Sequence, residues 1–129
     1  GIRGYWTPEE TGIIPTISAG IDFGFNDAEA KGQVEESFGW MVGLNWKNAF
    51  IEGNKLGVAF GSYSSYATEM KGDSDPDDEN FAIEAYYDYQ VSDNITITPA
   101  IFWVEDADGA ASVKGSDTLG GLIKTTFKF

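Results

Sequence analysis

The chain has 129 residues, a length that suits one domain, and it contains neither His nor Cys. Those absences exclude catalysis by Ser-His-Asp or Cys-His groups, disulfides, and the usual zinc and copper sites, so we expect no enzyme. A net charge of −13 argues against nucleic acid as a partner, because a polyanion needs a basic surface, and it favours contact with cations.

The hydropathy pattern favours strands over helices. Mean hydropathy is −0.24, and no apolar run reaches the length of a transmembrane helix. Hydropathy averaged over a window of residues does not detect the strands of a membrane β-barrel, because their apolar residues alternate with polar ones. Here apolar residues recur at every second position and not at helical spacing, which predicts an all-β chain.

This alternation predicts a short first strand followed by six longer ones. The short strand is Ile2–Trp6, a turn follows at Thr7–Gly12, and the longer strands cover 13–25, 37–46, 55–66, 80–91, 95–104 and 118–129. Pro15 and Pro99 fall inside two of these strands. Because Pro cannot donate to a ladder, we expect local bulges at both positions.

The two faces of these strands differ in kind. Charged residues inside the strands all lie on the register opposite the aromatic and aliphatic one, and the rest of their register is mostly Gly, Ala, Ser, Thr, Asn and Tyr. The outer face of a soluble sandwich would normally hold more charge. The pattern therefore predicts a lipid-facing side and a water-filled lumen. The candidate pore-lining residues are Asp22, Tyr63, Glu84, Tyr86, Asp88, Lys124 and Lys128.

Other roles for these residues stay open. The charged side chains produce a transverse field across the lumen, or they pair with partners on strands outside this chain and stiffen the wall. Tyr63 and Tyr86 form a track on which sugars stack, or they only fill the wall. Glycines on the same register mark close packing with an inserted loop, or they relieve curvature.

Aromatic residues gather near the ends of the apolar register, as in the girdles of membrane barrels at the two interfaces. The candidate lipid-facing girdle consists of Phe38, Trp40, Trp46, Trp103, Phe127 and Phe129.

The connections alternate in length and charge. Asn26–Glu36, Ala67–Glu79 and Glu105–Asp117 are long and acidic, whereas Lys47–Asn54 and Ser92–Asn94 are shorter. Outer-membrane barrels have long external loops and short periplasmic turns. We therefore expect the long connections to be external.

One external loop holds a cluster of acidic residues: Glu69, Asp73, Asp75, Asp77, Asp78 and Glu79. Such a loop forms a cation-attracting vestibule that also binds a divalent cation weakly, or it is simply a solvated loop. The spacing is similar to a calcium-binding EF-hand loop, but Pro76 interrupts it and Asp78 stands where Gly is required. We expect no EF-hand and no other cofactor.

Several ordered segments resemble a known family: GYWTPE at Gly4–Glu9, IIPTISAGIDFGF at Ile13–Phe25, GWMVGLNW at Gly39–Trp46 and GNKLGVAFG at Gly53–Gly61. Together they are similar to the C-terminal part of cyanobacterial outer-membrane porins of the OprB type, the carbohydrate-selective porins. The final strand ends on Phe129 and has Phe127, Ile123 and Leu119 on the same register, which resembles the C-terminal assembly signal of outer-membrane proteins. No single segment is diagnostic.

The resemblance implies an antiparallel transmembrane β-barrel of about sixteen strands, within the range of bacterial outer-membrane barrels. It also implies a homotrimer in outer-membrane lipid and passive diffusion of small hydrophilic solutes, whether sugars, iron or other inorganic ions. So few strands cannot close a barrel, and open edges in lipid leave backbone groups unpaired. We therefore expect residues 1–129 to be the C-terminal portion of a barrel domain. The alternative is a soluble, acidic β-sandwich binding module.

Overall fold

The computed structural model describes residues 1–10, 12–73, 79–105 and 117–129. These residues form one antiparallel sheet of eight strands. The strands are β1 (Ile2–Trp6), β2 (Thr16–Phe25), β3 (Val34–Lys47), β4 (Lys55–Ser62), β5 (Tyr66–Met70), β6 (Phe81–Ser92), β7 (Ile95–Val104) and β8 (Thr118–Phe127). Among these residues there is no helix long and apolar enough to cross a membrane.

The order along the sheet is β1-β2-β3-β4-β6-β7-β8, and β5 pairs with β3 beyond the end of β4. Each strand apart from β5 therefore lies beside its neighbours in sequence. The connections before β2, between β3 and β4 and between β6 and β7 meet at one end, which we call the turn end. The other connections meet at the opposite end, which we call the loop end.

The predicted alternation of faces is present in the sheet. Along β2, the residues from Thr16 to Phe25 alternate strictly between half-buried and exposed. The exposed positions are the apolar ones: Ile17 is 40% exposed and Phe25 is 73% exposed. Directly paired residues of neighbouring strands lie on the same face, so the continuous register extends this division from β1 to β8.

The sheet is a single layer. Among the described residues, the only apolar side chains buried from solvent are Ala28, Ala67, Ala100 and Val104. Large apolar side chains on the face that carries Ile17 and Phe25 are exposed to solvent, among them Ile101 at 64%, Leu119 at 78% and Ile123 at 76% exposure. No second layer of these residues covers that face.

Several predicted strand boundaries are wrong, among them the start of the second strand, which is Thr16 and not residue 13. Ala67–Glu79 was expected to be a loop and 55–66 a continuous strand, but β4 ends at Ser62 and β5 forms at Tyr66–Met70. β3 starts at Val34, earlier than expected, and this extension pairs with β5. The charge of Glu69 favoured the prediction of an acidic loop at residues 66–70. Pairing with β3 makes this segment a strand instead.

The expected proline bulges are also absent. Pro15 precedes β2 and therefore lies outside the ladder. Pro99 lies inside β7 opposite Ile123 of β8; toward β6 the ladder has no pair at Pro99 or Thr98, but its register is the same on both sides of that gap. The one register shift of the β6–β7 pair is at the turn end, between Gln90 and Ser92.

Candidate channel lining

One face of the sheet, which we call the polar face, unites most of the predicted pore-lining residues. Asp22, Glu84, Tyr86, Asp88 and Lys124 all lie on it by register. Tyr63 lies between β4 and β5, and Lys128 follows β8, where its backbone N–H donates to the carbonyl of Asn94 over 2.9 Å. That these residues line a pore stays a prediction.

Charges of both signs form a row across the polar face near the turn end. Lys55 of β4 is the direct partner of Asp88 in β6, and Lys124 of β8 is the partner of Thr98 in β7. The Thr98 hydroxyl donates to Asp88 Oδ1 over 2.6 Å. Asp88 is thus held in place by a hydroxyl, with a cationic residue on each side of the pair.

Besides Lys47 at the end of β3, two cationic residues of the polar face were not predicted from the sequence. Arg3 of β1 is paired with Gly20, and Lys55 of β4 is paired with Asp88. Both follow the same alternation as the predicted set, since Arg3 lies two residues before Tyr5 and Lys55 two before Gly57. Each was left out because it stands near the end of a predicted strand.

Several glycines on the polar face leave room for a side chain of the neighbouring strand. A Cβ at Gly57 would lie 2.7 Å from the Tyr86 hydroxyl, and one at Gly120 would lie 2.8 Å from Phe102 Cε2. The Tyr86 hydroxyl accepts a hydrogen bond from Asn45 Nδ2 over 2.8 Å. Cross-strand packing therefore accounts for these glycines without an inserted loop.

A cleft of about 530 Å³ opens on the polar face at the loop end. Its lining includes Arg3, Gly20, Asp22, Tyr63 and Ser65. The Ser65 hydroxyl donates to the Asp22 carboxylate, which joins the β4–β5 connection to β2. This cleft brings together two predicted residues, Asp22 and Tyr63, and the overlooked Arg3.

Aromatic rings on the opposite, apolar face form a cluster at the loop end. The Phe23 and Phe38 rings lie 5.1 Å apart, and Phe38 meets Tyr66 edge-on at 6.0 Å. Trp40 meets Phe60 at 5.2 Å. At the turn end, Trp46 donates from Nε1 to the carbonyl of Ile13 over 2.8 Å.

The other predicted girdle residues are spread more widely. Trp103 of β7 faces Ile83 and Leu119, and Phe127 ends β8 at 58% exposure. Phe129 follows β8 and is fully exposed. Contact of these aromatic residues with lipid stays a prediction.

The acidic vestibule is only partly described. Glu69 lies in β5 opposite Glu36, Asp73 forms a bridge with Met70, and Glu79 accepts a hydrogen bond from Tyr66. Asp75, Asp77 and Asp78 lie outside the described residues, as do residues 106–116 of the last long connection. In the described ranges, no three acidic side chains are arranged to hold a metal ion.

The one cation of this loop is already paired. Lys71 Nζ lies 3.3 Å from Glu35 Oε1, at the start of β3. Its charge is therefore offset by a residue of β3, and the sequence from Ala67 to Glu79 keeps a net negative charge.

Comparison with known proteins gives two matches. Residues 3–129 match the family described as carbohydrate-selective porin, OprB family. An uncharacterized protein of Nostoc sp. is 30% identical over 107 residues, which are 83% of this chain and 17% of that protein. No solved structure matches the chain.

Proposed function

Because the chain belongs to the OprB family of carbohydrate-selective porins, we propose that the full-length protein lets small hydrophilic solutes diffuse passively through a water-filled channel. The family is one of outer-membrane transport channels and not of enzymes. This chain matches 17% of the length of its curated relative, so the proposal concerns a protein of which the chain forms one part.

The single-layer sheet with two unlike faces is the observation that supports this function most. One face exposes Ile101, Ile123 and Phe25 at 64%, 76% and 73%, far more apolar surface than a soluble protein leaves open. The other face holds Asp22, Asp88 and Lys124 among small and hydroxyl side chains. Contact with lipid would remove the apolar face from water, and a water-filled lumen would solvate the charged residues of the other face.

The edges of the sheet favour a larger barrel. β1 and β8 are its two outermost strands in the described chain, and each leaves one row of backbone groups without a ladder partner. In lipid such groups cost several kcal/mol each. We therefore propose that the chain is the C-terminal portion of a barrel of about sixteen strands, closed by strands from the rest of the protein. A homotrimer, as the family resemblance implies, is part of this proposal.

The acidic loops suggest a preference for cations. Carboxylates at a pore mouth raise the local concentration of cations and repel anions. The net charge of −13 acts in the same direction. We propose a cation-biased channel that passes neutral solutes such as sugars as well as inorganic cations, including iron, with divalent cations binding weakly to the loops.

Planar-bilayer conductance of the detergent-extracted, full-length protein in a KCl gradient tests this function. We expect stable conductance steps and a reversal potential on the cation side. Steps with anion selectivity would retain the channel and contradict the proposed role of the acidic loops. A protein that is soluble without detergent and gives no steps would instead support the alternative, a soluble acidic β-sandwich that binds its ligand.

A further inference from the structure

Two lysines lie directly opposite each other on the polar face, at the turn end of neighbouring strands in the middle of the sheet. Lys47 ends β3, Lys55 begins β4, and the two are partners in the ladder with both side chains exposed. We call them the lysine pair. Partners in antiparallel strands lie about 4.5–5.5 Å apart at their Cα atoms, and like charges at such positions destabilise a sheet. Folding alone therefore gives no reason for this pair.

The carboxylate that stands next to the lysine pair is held away from it. Asp88 of β6 is the other ladder partner of Lys55, but its Oδ1 accepts from the hydroxyl of Thr98 in β7 over 2.6 Å, on the side away from β4. Thr98 is 6% exposed, so this hydrogen bond is shielded from water. Among the described residues, no carboxylate lies within ion-pair distance of either member of the lysine pair.

The whole row across the polar face carries an excess of positive charge. Beyond Asp88 the row continues through Thr98 to Lys124 of β8, which is exposed. Three lysines and one aspartate give this row a net charge of +2. The next carboxylate of the polar face along β6 is Glu84, two rows closer to the loop end. The charge of the row is thus opposite in sign to that of the acidic loop at the other end.

A neutral donor lies beside the lysine pair in the next row. The Tyr86 hydroxyl accepts from Asn45 Nδ2 over 2.8 Å and would lie 2.7 Å from a Cβ at Gly57. Asn45 precedes Lys47 by two residues and Gly57 follows Lys55 by two, so this hydroxyl lies over β3 and β4 on the same face as the pair. A hydroxyl that accepts from Asn45 can still donate its own proton.

These groups together are suited to an oxyanion. Lysine ammonium groups are compact charges on flexible stems, and they bind phosphate through charge-assisted hydrogen bonds. Two such groups on paired residues can approach one ion from both sides, with the Tyr86 hydroxyl as a third donor. An ion of charge −2 would cancel the charge of the row, whereas a monovalent anion would leave half of it.

We propose that the lysine pair and the Tyr86 hydroxyl form a binding site in the channel wall for oxyanions of charge −2, such as phosphate and phosphate monoesters. Thr98 is a positioning residue, because it keeps the Asp88 carboxylate away from the ion. This inference rests on the proposed channel function, and it adds an anion site at the turn end of a channel whose other mouth concentrates cations.

Calorimetric titration of inorganic phosphate into the detergent-extracted, full-length protein tests the site. We expect saturable binding at constant ionic strength and about pH 8, where phosphate carries most of its second charge. Lys47→Gln and Lys55→Gln should each weaken binding about tenfold, because each removes a charge-assisted hydrogen bond, and Lys55→Arg should retain it. Tyr86→Phe should weaken binding about threefold, since one neutral donor is lost.

Matched controls separate this site from the net charge of the protein. Lys71→Gln removes the same charge at the loop end, where Lys71 already pairs with Glu35, and should leave phosphate binding unchanged. Sulfate should bind like phosphate, and acetate, with a single charge, much more weakly. Comparing inorganic phosphate with glycerol phosphate distinguishes the two sources of the ion: tighter binding of the ester would assign the site to phosphorylated solutes, and tighter binding of phosphate to the free ion.

Urea unfolding shows whether the lysine pair serves binding or structure. Without phosphate, Lys47→Gln should be at least as stable as the wild type, because it relieves the repulsion between paired lysines. Phosphate should raise the unfolding midpoint of the wild type and have little effect on that of the variant, since only the folded wild type binds it tightly. A clear loss of stability in Lys47→Gln without phosphate would show a structural role and overturn the proposal.

Planar-bilayer conductance places the site in the channel. Phosphate should lower the KCl conductance of the wild type saturably, and the effect should be weaker in the two lysine variants. A channel that conducts but binds no phosphate, or binds it equally in wild type and Lys55→Gln, would overturn the site and leave the channel function standing. Acetate binding as tight as sulfate binding would overturn the class of ion. Phosphate binding that depends on the lysine pair in a protein without conductance steps would overturn the channel function and retain the site.

Discussion

Tyr86 of β6 covers Gly57 of β4, in the space that a side chain at position 57 would need. A Cβ at Gly57 would lie 2.7 Å from the Tyr86 hydroxyl and still closer to the ring itself. The same hydroxyl accepts from Asn45 of β3 over 2.8 Å, so a single tyrosine spans three neighbouring strands. In a sheet that is one layer thick, such contacts replace part of the packing that a second layer would give.

Gly57→Ala should therefore destabilise the sheet by about 1–3 kcal/mol, the usual cost of overpacking, because the Tyr86 ring must move and its bond to Asn45 is lost. Urea unfolding of the full-length protein in detergent, followed by Trp fluorescence, measures this change. Gly4→Ala is the matched control, since a Cβ at Gly4 meets nothing within 4 Å. Equal stability of the two variants would show that Tyr86 does not depend on Gly57.

The arrangement of the sheet was largely predictable from alternation. Charged residues on one register of each strand predicted a shared face, and the pairing of Asp88 with Lys55 and of Thr98 with Lys124 follows that face across four strands. Arg3 and Lys55 lie on the same register as the predicted charged residues. They were not predicted because each stands near the end of a predicted strand. Period two is a strong signal because a slip of one residue would move the charged residues of a strand to the apolar face.

The break between β4 and β5, at residues 63–65, was not predictable, because no local pattern marks it. Tyr63 and Ser65 read as a continuation of the strand, and Glu69 made β5 read as a loop. The break depends on the Ser62 hydroxyl meeting Trp40, and its position depends on Ser65 meeting Asp22. These partners are far apart in the chain, so only the assembled sheet shows which side the insertion takes.

Asn54 fixes the β3–β4 connection at the turn end. Its side chain is 1% exposed, accepts from the Gln90 backbone N–H over 2.9 Å, and donates to the Tyr87 hydroxyl over 2.8 Å. Tyr87 in turn donates to the Ala49 carbonyl over 2.9 Å. Asn54→Ala removes the partner of the Gln90 amide and one of the two hydrogen bonds of the Tyr87 hydroxyl, so we expect a loss of about 1–3 kcal/mol in the free energy of unfolding.

Hydrogen exchange at the Gln90 amide measures this effect locally, and urea unfolding measures it globally. Tyr87→Phe is a graded comparison, because it removes the bonds to Asn54 and Ala49 but keeps the Asn54–Gln90 bond; it should cost less than Asn54→Ala. Asn26→Ala changes an exposed Asn at the loop end and should be nearly neutral. An Asn54→Ala protein as stable as Asn26→Ala would contradict this role.

Adjacent residues of β8 test which face meets lipid. Ile123 lies on the apolar face at 76% exposure, and Leu122 lies on the polar face at 51%. Ile123→Lys places a charge among lipid chains near the middle of the strand and should cost about 2–4 kcal/mol, whereas Leu122→Lys should be close to neutral in a water-filled lumen. Unfolding in lipid vesicles gives both values. The reverse ranking would assign the faces the other way round.

Charge at the loop end sets the expected ion selectivity. Glu69 lies in β5, Asp73 and Glu79 follow it beyond the paired Lys71, and three further carboxylates lie between Asp73 and Glu79 in the sequence. Replacing the six acidic residues with Asn or Gln should move the reversal potential in a KCl gradient toward zero, because fewer fixed charges concentrate K⁺ at the mouth. The shift should shrink at high salt, since exposed charges are screened beyond about 3 Å at 1 M ionic strength.

Neutralising acidic residues at the turn end provides the comparison. Glu52 and Asp93 are exposed in the two short connections there. The double variant Glu52→Gln with Asp93→Asn removes two charges at the turn end. Its effect on the same reversal potential is divided by the number of charges removed and compared with the loop-end value. The comparison tells whether the loop-end carboxylates act by their position or only by adding to the net charge of −13. A larger shift per charge at the loop end supports a vestibule there. An equal shift per charge at both mouths would contradict it, and the bias would then belong to the whole surface.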